Sequence, residues 1–253
     1  HVTGVQTCAL PICSVAVAIR GSGSGGSTGT GNLVLTSSAS AVDGDLILIF
    51  VNINNSGSGS HPTPACTGFS SLGTSTASVW SRETCLGRIA SGNGSSYTIS
   101  GFTGADSKYA SVVILSGAAA SVPTNIVTTP DASSNTTHSI PAITNAAANS
   151  LDVVCVGYGG NNDYGAPGAF ASWGSSLTEL IDGGADSGGG FYYSGHGIAT
   201  ALRASSGSQA ATSVTSDAAD VSSAIRIEVL EAVVATKPLP PRRRPYRFFG
   251  GLI

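Results

Sequence analysis

The 253-residue chain has little charge, few aromatic side chains and no long apolar run. Only 10% of its residues are charged and 6% are aromatic, and it contains no Met. This scarcity of charge excludes a charge-rich disordered chain, and the low content of Glu, Lys and Arg excludes a long coiled coil. The longest clean apolar run, residues 46–51, is far shorter than the roughly 18 residues of a membrane-spanning helix. The sequence therefore predicts no membrane span.

Glycine and hydrophobic residues are abundant instead, with 34 Gly and 41% hydrophobic residues. Short runs rich in Val, Ile, Thr and Tyr alternate with clusters of Gly, Ser and Asn, which is typical of strands and turns. No stretch carries a capped apolar stripe of helical period. We therefore expect an all-β protein, a two-sheet β-sandwich of jelly-roll character. The predicted strands are residues 14–19, 32–36, 45–53, 85–90, 97–100, 109–115, 125–129, 151–158, 177–181, 191–202, 211–214 and 223–231.

Two of these strands carry clear patterns. In the last one, Ile225, Ile227 and Val229 alternate with Arg226 and Glu228. Such alternation predicts one face in the core and one in solvent. Residues 46–51 are apolar at every position, which predicts a central strand covered on both sides.

The strands form two series that resemble each other. Leu46 in DLILIFV matches Leu151 in LDVVCVG, and Leu72 matches Leu177 at the same spacing. Further matches, Arg88 with Arg203 and Leu115 with Leu230, follow at a longer spacing, and the glycine-rich DGGADSGGG lies in the interval that lengthens. We expect one duplicated domain over residues 33–236, with halves at about 33–120 and 121–236. The halves should share one core, because each alone would expose sheet edges.

The N-terminal residues call for separate treatment. Residues 2–12, VTGVQTCALPI, resemble a translated sequencing adapter, so residues 1–12 are expected to be non-native and to contribute nothing to the fold. Residues 13–32 are predicted to form a strand and a flexible Gly/Ser link. The segment from Gly21 to Gly26 fits G-x-G-x-x-G, but a turn and a strand follow it where a dinucleotide site needs a helix. No cofactor is therefore predicted.

The C-terminal tail, residues 237–253, is basic and proline-rich. It holds five of the eleven basic residues, whereas the preceding chain has six against fourteen acidic ones, a net charge of −8. An acidic body argues against general nucleic-acid binding. The tail is interpreted either as a solvated extension or as a docking segment for a partner. The candidate docking residues are Arg242, Arg243, Arg244, Tyr246, Arg247, Phe248 and Phe249.

Candidate catalytic and metal sites are weak. Three histidines, His61, His138 and His196, could serve a Ser–His–Asp site, but no G-x-S-x-G motif is present and abundant serines make chance Ser–His pairs common. Residues 161–163 and 182–186 offer oxygen ligands for calcium, yet Asn, Asp and Gly are also what turns require. No catalytic or metal-binding residue is predicted.

Aromatic residues near the enlarged loop could bind glycans. Phe69 and Trp80 are instead predicted to lie in the core. The candidate glycan-binding residues are Tyr164, Trp173, Tyr192 and Tyr193.

Three of the five cysteines bear on the fold. Cys155 is expected in the core. Cys66 and Cys85 flank a segment that could turn back on itself, but spacing alone does not establish a disulfide. The pair would be bridged in a secreted protein and reduced in one that assembles in a bacterial cytoplasm, and we expect reduced thiols.

One family pattern matches much of the chain. Gly44-Asp45-Leu46, followed by the segment GFSSLG at residues 68–73, resembles a β-sandwich domain of phage tail-associated and bacterial surface proteins. The second half matches more loosely through Leu151, Phe170 and Leu177, and the resemblance covers roughly residues 33–232. It implies a virion or surface role and carries no catalytic residue.

Three functions follow as expectations. The leading one is a non-enzymatic structural or adhesive protein, a component of a phage virion or tail appendage. Its expected partners are other virion or surface proteins, further copies of the chain, and host glycans, and its expected location is the virion or the extracellular surface. The alternatives are a carbohydrate-binding module of a secreted bacterial protein and an extracellular hydrolase without a recognisable motif.

Overall fold

The computed structural model describes residues 16–55, 60–160, 170–174, 176–186 and 192–233, and within these ranges the chain forms β-strands and no helix. The first half contains β1 (Ala18–Thr28), β2 (Leu33–Ala41), β3 (Leu46–Asn54), β4 (Ala65–Cys66), β5 (Ser70–Thr76), β6 (Arg82–Ile89), β7 (Gly94–Ser100) and β8 (Ser107–Ser116). The second half contains β9 (Ile126–Ile140), β10 (Ile143–Asn145), β11 (Ser150–Gly160), β12 (Phe170–Ala171), β13 (Thr178–Asp186), β14 (Tyr193–Arg203), β15 (Gly207–Gln209) and β16 (Thr212–Val229).

Each half contributes one main sheet and one small sheet. The first main sheet has the order β1-β8-β3-β6-β5, and the second has the order β9-β16-β11-β14-β13, with β12 also paired to β16. The first small sheet is β2-β7-β4, and the second is β10-β15. Counted from the start of each half, the main sheets have the same strand order. The expectation of an all-β sandwich built from two related halves is confirmed.

The winding of each half resembles that of a jelly roll, except that strand five of each half lies in the main sheet beside strand six, and β12, strand four of the second half, lies there as well. Strands one, eight, three and six of a half lie in its main sheet, and strands two and seven lie in its small sheet. A jelly roll winds eight strands in this way as two Greek keys. The molecule thus has four layers, with the two main sheets in the middle and a small sheet outside each.

The two main sheets pack face to face along what we call the seam. Each contact across the seam has a counterpart with the halves exchanged. The central strands β3 and β11 pack on each other. The contact of β6 with β16 corresponds to that of β14 with β8, and the contact of β5 with β9 corresponds to that of β13 with β1. This pattern describes an approximate two-fold relation between the halves. The apolar part of the seam is built by Leu46, Leu48, Phe50, Cys85, Val113, Leu115, Leu151, Val153, Cys155, Ile198, Ile225, Ile227 and Val229.

The central position predicted for residues 46–51 is confirmed. All nine residues of β3 are buried. Ile47, Ile49 and Val51 pack in the core under the first small sheet, whereas the alternate residues face the seam. Because both faces are covered, the strand is apolar at consecutive positions.

The solvent face predicted for the last strand is wrong. Arg226 is 1% exposed and Glu228 is 2% exposed. Glu228 accepts hydrogen bonds from the backbone of Ala146 and Ala147, and Arg226 donates to the carbonyls of Pro141 and Ala210. The segments next to β10 and β15 therefore cover this face.

The flexible link predicted within residues 13–32 is also wrong. Its Gly/Ser-rich part forms β1, which pairs antiparallel with β8 along nearly its whole length. A Cβ atom on Gly23 would overlap the backbone carbonyl of Thr36. Glycine here allows β2 to approach β1 closely and does not mark a linker.

The cysteines within the described residues are free thiols, as expected for Cys66 and Cys85. Cys66 packs against the core under the first small sheet, whereas Cys85 and Cys155 lie in the seam. The first main sheet thus separates Cys66 from Cys85. Burial raises the pKa of both seam thiols, so they are protonated at neutral pH.

Candidate functional site

A pocket opens at one end of the seam, between the two halves. It encloses about 290 Å³. Its first-half residues come from the loop between β5 and β6, and its second-half residues come from β9, β11 and β16. We call it the seam pocket, and it is lined by Ser78, Trp80, Ala132, Ser134, Gly159, Gly160, Asp220 and Val221.

An aromatic pair joins the halves at this pocket. Trp80 and Tyr192 stack with ring centroids 6.1 Å apart and an angle of 14° between their planes. Both side chains are partly exposed. Offset parallel stacking is a favourable arrangement of aromatic rings. The pair therefore places a fixed aromatic surface beside a polar cavity.

Close backbone packing fixes the position of Trp80. Its backbone N–H donates to the Ser78 hydroxyl at 3.1 Å. A Cβ atom on Gly159 would overlap the Trp80 carbonyl, so only glycine on β11 lets the loop lie this close. Hydrogen bonds between the halves hold the opposite wall. The Asn54 side-chain amide donates to the carbonyls of Gly160 and Tyr193 at 2.8 and 2.9 Å.

Asp220 supplies the acidic group of the pocket. It is 3% exposed and accepts a hydrogen bond from the Tyr193 hydroxyl. Burial raises the pKa of this carboxyl to about 6. A Cβ atom on Gly160 would lie 2.6 Å from the Tyr193 hydroxyl and 2.8 Å from the carboxylate, so glycine leaves room for the pair.

This combination is suited to a sugar. The C–H face of a pyranose ring is apolar and packs on an aromatic ring, while its hydroxyls need polar partners. Pockets that bind small ligands combine apolar contact area with a few placed polar groups. The seam pocket is lined by Trp80, whose ring stacks on Tyr192, by Asp220, whose carboxyl accepts from Tyr193, and by Ser78 and Ser134.

The four predicted glycan-binding aromatics are distributed differently. Tyr192 stacks on Trp80, which lines the seam pocket, but Tyr192 is not itself a lining residue. Tyr193 is 4% exposed; its hydroxyl donates to Asp220 and its ring has no free face. Trp173 packs against Phe170 at 5.6 Å and donates to Glu179 at 2.8 Å, in contact with the core cluster on the outer face of the second main sheet. Tyr164 lies outside the described residues.

Trp80 is the pocket residue that sequence reasoning missed. It was predicted in the core, and this is wrong, because it is partly exposed and lies outside the buried clusters. One signal was present in the sequence: Trp80 precedes a strand and does not sit inside one. Phe69 packs partly buried against the core under the first small sheet.

Several other candidates fall outside the described residues. These are residues 1–12, the calcium candidate at 161–163, and the tail with its docking residues. In the second calcium candidate, the Asp182 carboxylate accepts the backbone N–H of Phe170 at 2.7 Å and so positions β12.

The three candidate histidines contact hydroxyl, carbonyl or carboxylate oxygens. His61 donates to the Ser78 carbonyl at 2.6 Å, and His138 Nε2 lies 2.7 Å from the Ser216 hydroxyl. Burial lowers the pKa of His138 to about 4. His196 Nε2 lies 2.7 Å from the hydroxyl of Ser111, and its Nδ1 lies 3.3 Å from Glu83 Oε2.

The Ser111–His196–Glu83 row has the connectivity of a hydrolase triad. All three residues are fully buried in the seam. A nucleophile must reach its substrate, and this hydroxyl is closed off from solvent on every side. The row therefore acts as a polar contact between the sheets.

No protein-family model matches the chain, and no curated protein or solved structure shows significant similarity to it. Among the described residues, no helix has the length and apolar character needed to cross a membrane.

Proposed function

We propose that the protein is a non-enzymatic adhesive component of a virion or cell surface, and that it binds glycans in the seam pocket. The observation that carries this proposal is the stacked, partly exposed Trp80–Tyr192 pair beside the buried carboxyl of Asp220. An aromatic face next to a carboxyl group matches the two chemically different sides of a sugar.

The construction of the pocket supports a binding role. Its walls come from both halves and are fixed by cross-half hydrogen bonds from Asn54. A preformed site binds without the entropic cost of ordering its walls. The buried Ser111 hydroxyl offers no comparable access for catalysis.

The virion or surface location rests on the resemblance of residues 33–232 to phage tail-associated and bacterial surface domains. Jelly rolls also occur in viral capsid and lectin domains, which is a likeness of fold alone. Small glycan sites bind weakly, so an adhesive role favours several copies acting together. We therefore propose homo-oligomers, in which the basic tail, residues 237–253, docks on the acidic β-sandwich of a neighbouring copy.

Tryptophan fluorescence tests the site directly, because the chain contains only two Trp residues. In a Trp173→Phe variant, the remaining signal comes from Trp80. We expect sugars identified on a glycan array to change this fluorescence in a saturable way. Trp80→Ala should weaken binding about tenfold or more, as expected for an aromatic anchor.

Trp173→Phe is the matched control, since it alters an aromatic residue away from the seam pocket and should keep the affinity of the natural chain. The proposal fails if no glycan binds, or if Trp80→Ala binds as tightly as this control.

A further inference from the structure

Three side chains with metal-binding atoms meet in the seam, away from the seam pocket. Glu83 lies on β6 in the first half, and Cys155 and His196 lie on β11 and β14 in the second half. Their ligand atoms, a carboxylate oxygen, a thiol sulfur and a ring nitrogen, all lie within 4.8 Å of one another. All three residues are fully buried.

The spacing of two of these atoms fits a shared ligand. His196 Nδ1 and Glu83 Oε2 are 3.3 Å apart. A charge-assisted hydrogen bond between such groups is normally shorter, about 2.7–2.9 Å. Two ligands of a tetrahedral ion with bonds of about 2.0–2.1 Å lie about 3.3–3.4 Å apart. The Cys155 sulfur lies within 4.8 Å of a ring nitrogen of His196 and a carboxylate oxygen of Glu83. A shift of about 1 Å would bring it to the roughly 3.5 Å expected between a zinc-bound sulfur and a neighbouring ligand, as the third protein ligand of a four-coordinate ion.

The second ring nitrogen of His196 is already held. Its Nε2 lies 2.7 Å from the Ser111 hydroxyl. When Nε2–H donates to this oxygen, the lone pair of Nδ1 points toward Glu83. Histidines that bind metals usually donate their other N–H to such a partner, which fixes the ring and its tautomer.

Unsatisfied oxygens lie at the same place. Glu83 Oε1 and Asn52 Oδ1 are buried and have no hydrogen-bond partner within the described part of the chain, although the Cys155 thiol lies within hydrogen-bonding reach of the Glu83 carboxylate. A Cβ atom on Gly157 would overlap both the Asn52 amide and Glu83 Oε2, so these two side chains lie side by side over this glycine. A buried polar atom without a partner costs free energy, and a cation would supply the missing interaction.

We propose that Glu83, Cys155 and His196 bind a zinc ion that joins the two halves of the molecule. Zinc accepts sulfur, nitrogen and oxygen ligands in one tetrahedral site, whereas calcium and magnesium require oxygen ligands. Complete burial assigns the ion a structural role. Because the ligands come from both halves, the site forms only when the main sheets meet, so zinc binding and folding are coupled.

The experiment uses the full chain with Cys8, Cys13 and Cys66 replaced by Ser, so that Cys85 and Cys155 are the remaining thiols. The protein is unfolded with a chelator, then refolded with zinc or with chelator. We expect one zinc ion per chain by elemental analysis after dialysis, and a melting temperature about 5 °C or more above that of the metal-free protein. Cobalt refolding should give the absorption of a thiolate–cobalt bond.

Two variants separate this site from general effects. Cys155→Ser should abolish the thiolate–cobalt absorption and reduce bound zinc at least tenfold. Cys85→Ser removes the neighbouring seam thiol and should keep both. The proposal is overturned if the parent protein retains no zinc, or if Cys155→Ser retains the metal and the absorption. If Cys155→Ser does not fold, the parent protein's cobalt spectrum and melting shift decide the question, since the absence of either refutes the site. The proposal stands apart from glycan binding and can fail without affecting it.

Discussion

At the scale of single residues, the described chain contains a buried carboxylate held between two arginines. Asp152 Oδ2 accepts from Arg203 Nε at 2.8 Å and from Arg226 Nη2 at 2.7 Å, and the amide of Asn145 donates to Oδ1 at 2.8 Å. Asp152 and Arg226 are 0% and 1% exposed. Such a cluster specifies one arrangement of β11, β14 and β16, because each charge depends on the others.

We expect Asp152→Ala to lower the free energy of unfolding by about 3–5 kcal/mol, because it leaves two arginines buried without their counter-charge. Arg20→Ala is the control: its ion pair with Asp45 is equally short at 2.7 Å, and the Asp45 carboxylate is only 4% exposed, but 36% of the Arg20 side chain is exposed, so water reaches this pair. We expect a smaller loss, of about 1 kcal/mol, because solvent screens a pair that it reaches. Urea unfolding measures both, and similar losses in the two variants would contradict the prediction.

Two buried titrating residues give opposite pH dependences. Burial raises the pKa of Asp220 from 3.8 to about 6, so the folded state holds this proton to a higher pH than the unfolded state does. The free energy of unfolding therefore falls as pH rises from about 4 to 6. Burial lowers the pKa of His138 from 6.5 to about 4, so its contribution is present above pH 6.5 and is lost as pH falls toward 4.

Asp220→Asn should therefore stabilise the protein at pH 7, by on the order of 1–3 kcal/mol. The amide oxygen can still accept from the Tyr193 hydroxyl, and no buried charge remains. This advantage should vanish near pH 4, where Asp220 is protonated in both the folded and the unfolded natural protein. The stability lost through protonation of His138 then remains in both proteins. Thermal unfolding at several pH values measures it, and an equal advantage at pH 4 and pH 7 would show that desolvation of the carboxylate is not the cause.

At the scale of elements, β1 shows that glycine spacing can encode close packing. A Cβ atom on Gly23 would overlap the Thr36 carbonyl, whereas one on Gly25 would make an ordinary contact of 3.7 Å with Leu35. The two positions lie on the same strand and differ in what faces them.

We expect Gly23→Ala to destabilise the protein by about 1–3 kcal/mol, the usual cost of overpacking. Gly25→Ala should be close to neutral. Urea unfolding of the two variants compares them within one strand. Equal effects would mean that the flexibility of β1, and not its distance from β2, determines the choice of glycine.

These elements also show what the sequence predicts and what it does not. The strands β3 and β11 were predictable because burial on both faces leaves continuous apolar runs. By contrast, the Gly/Ser-rich composition of β1 is also that of a linker, and Arg226 alternates with apolar residues as a surface residue would. The strands and segments that cover them cannot be seen in the local pattern. Tyr192 was predicted near a binding site because other aromatic residues lie close to it in the sequence. Trp80 was not, because it comes from the other half and meets Tyr192 only in the folded chain.

At the scale of the whole molecule, the seam determines whether either half can exist alone. Separation would expose the apolar face formed by residues such as Leu48, Phe50 and Val113. Large exposed apolar patches drive association. Each half is therefore expected to need a second sheet to cover its seam face.

We expect residues 1–120 and 121–253, expressed separately, to form homodimers or aggregates, and to recover a soluble one-to-one complex when refolded together. Size-exclusion chromatography and circular dichroism distinguish these states. As a control, a protease site placed within residues 119–124 of the full chain should permit cleavage without dissociation. A folded, monomeric half would contradict the prediction.

The seam also holds a complementary pair at a position that faces its own counterpart. Glu83 pairs in register with Asn52, six residues after Leu46, and His196 pairs with Gly157, six residues after Leu151. By strand register the two occupy corresponding positions and meet across the approximate two-fold axis, whereas the sequence match of Arg88 with Arg203 is shifted by two residues from this register. An ancestral dimer of identical chains would have placed Glu against Glu or His against His there. The complementary pair is therefore available only to two halves that differ, and a dimer of either half alone would lose it.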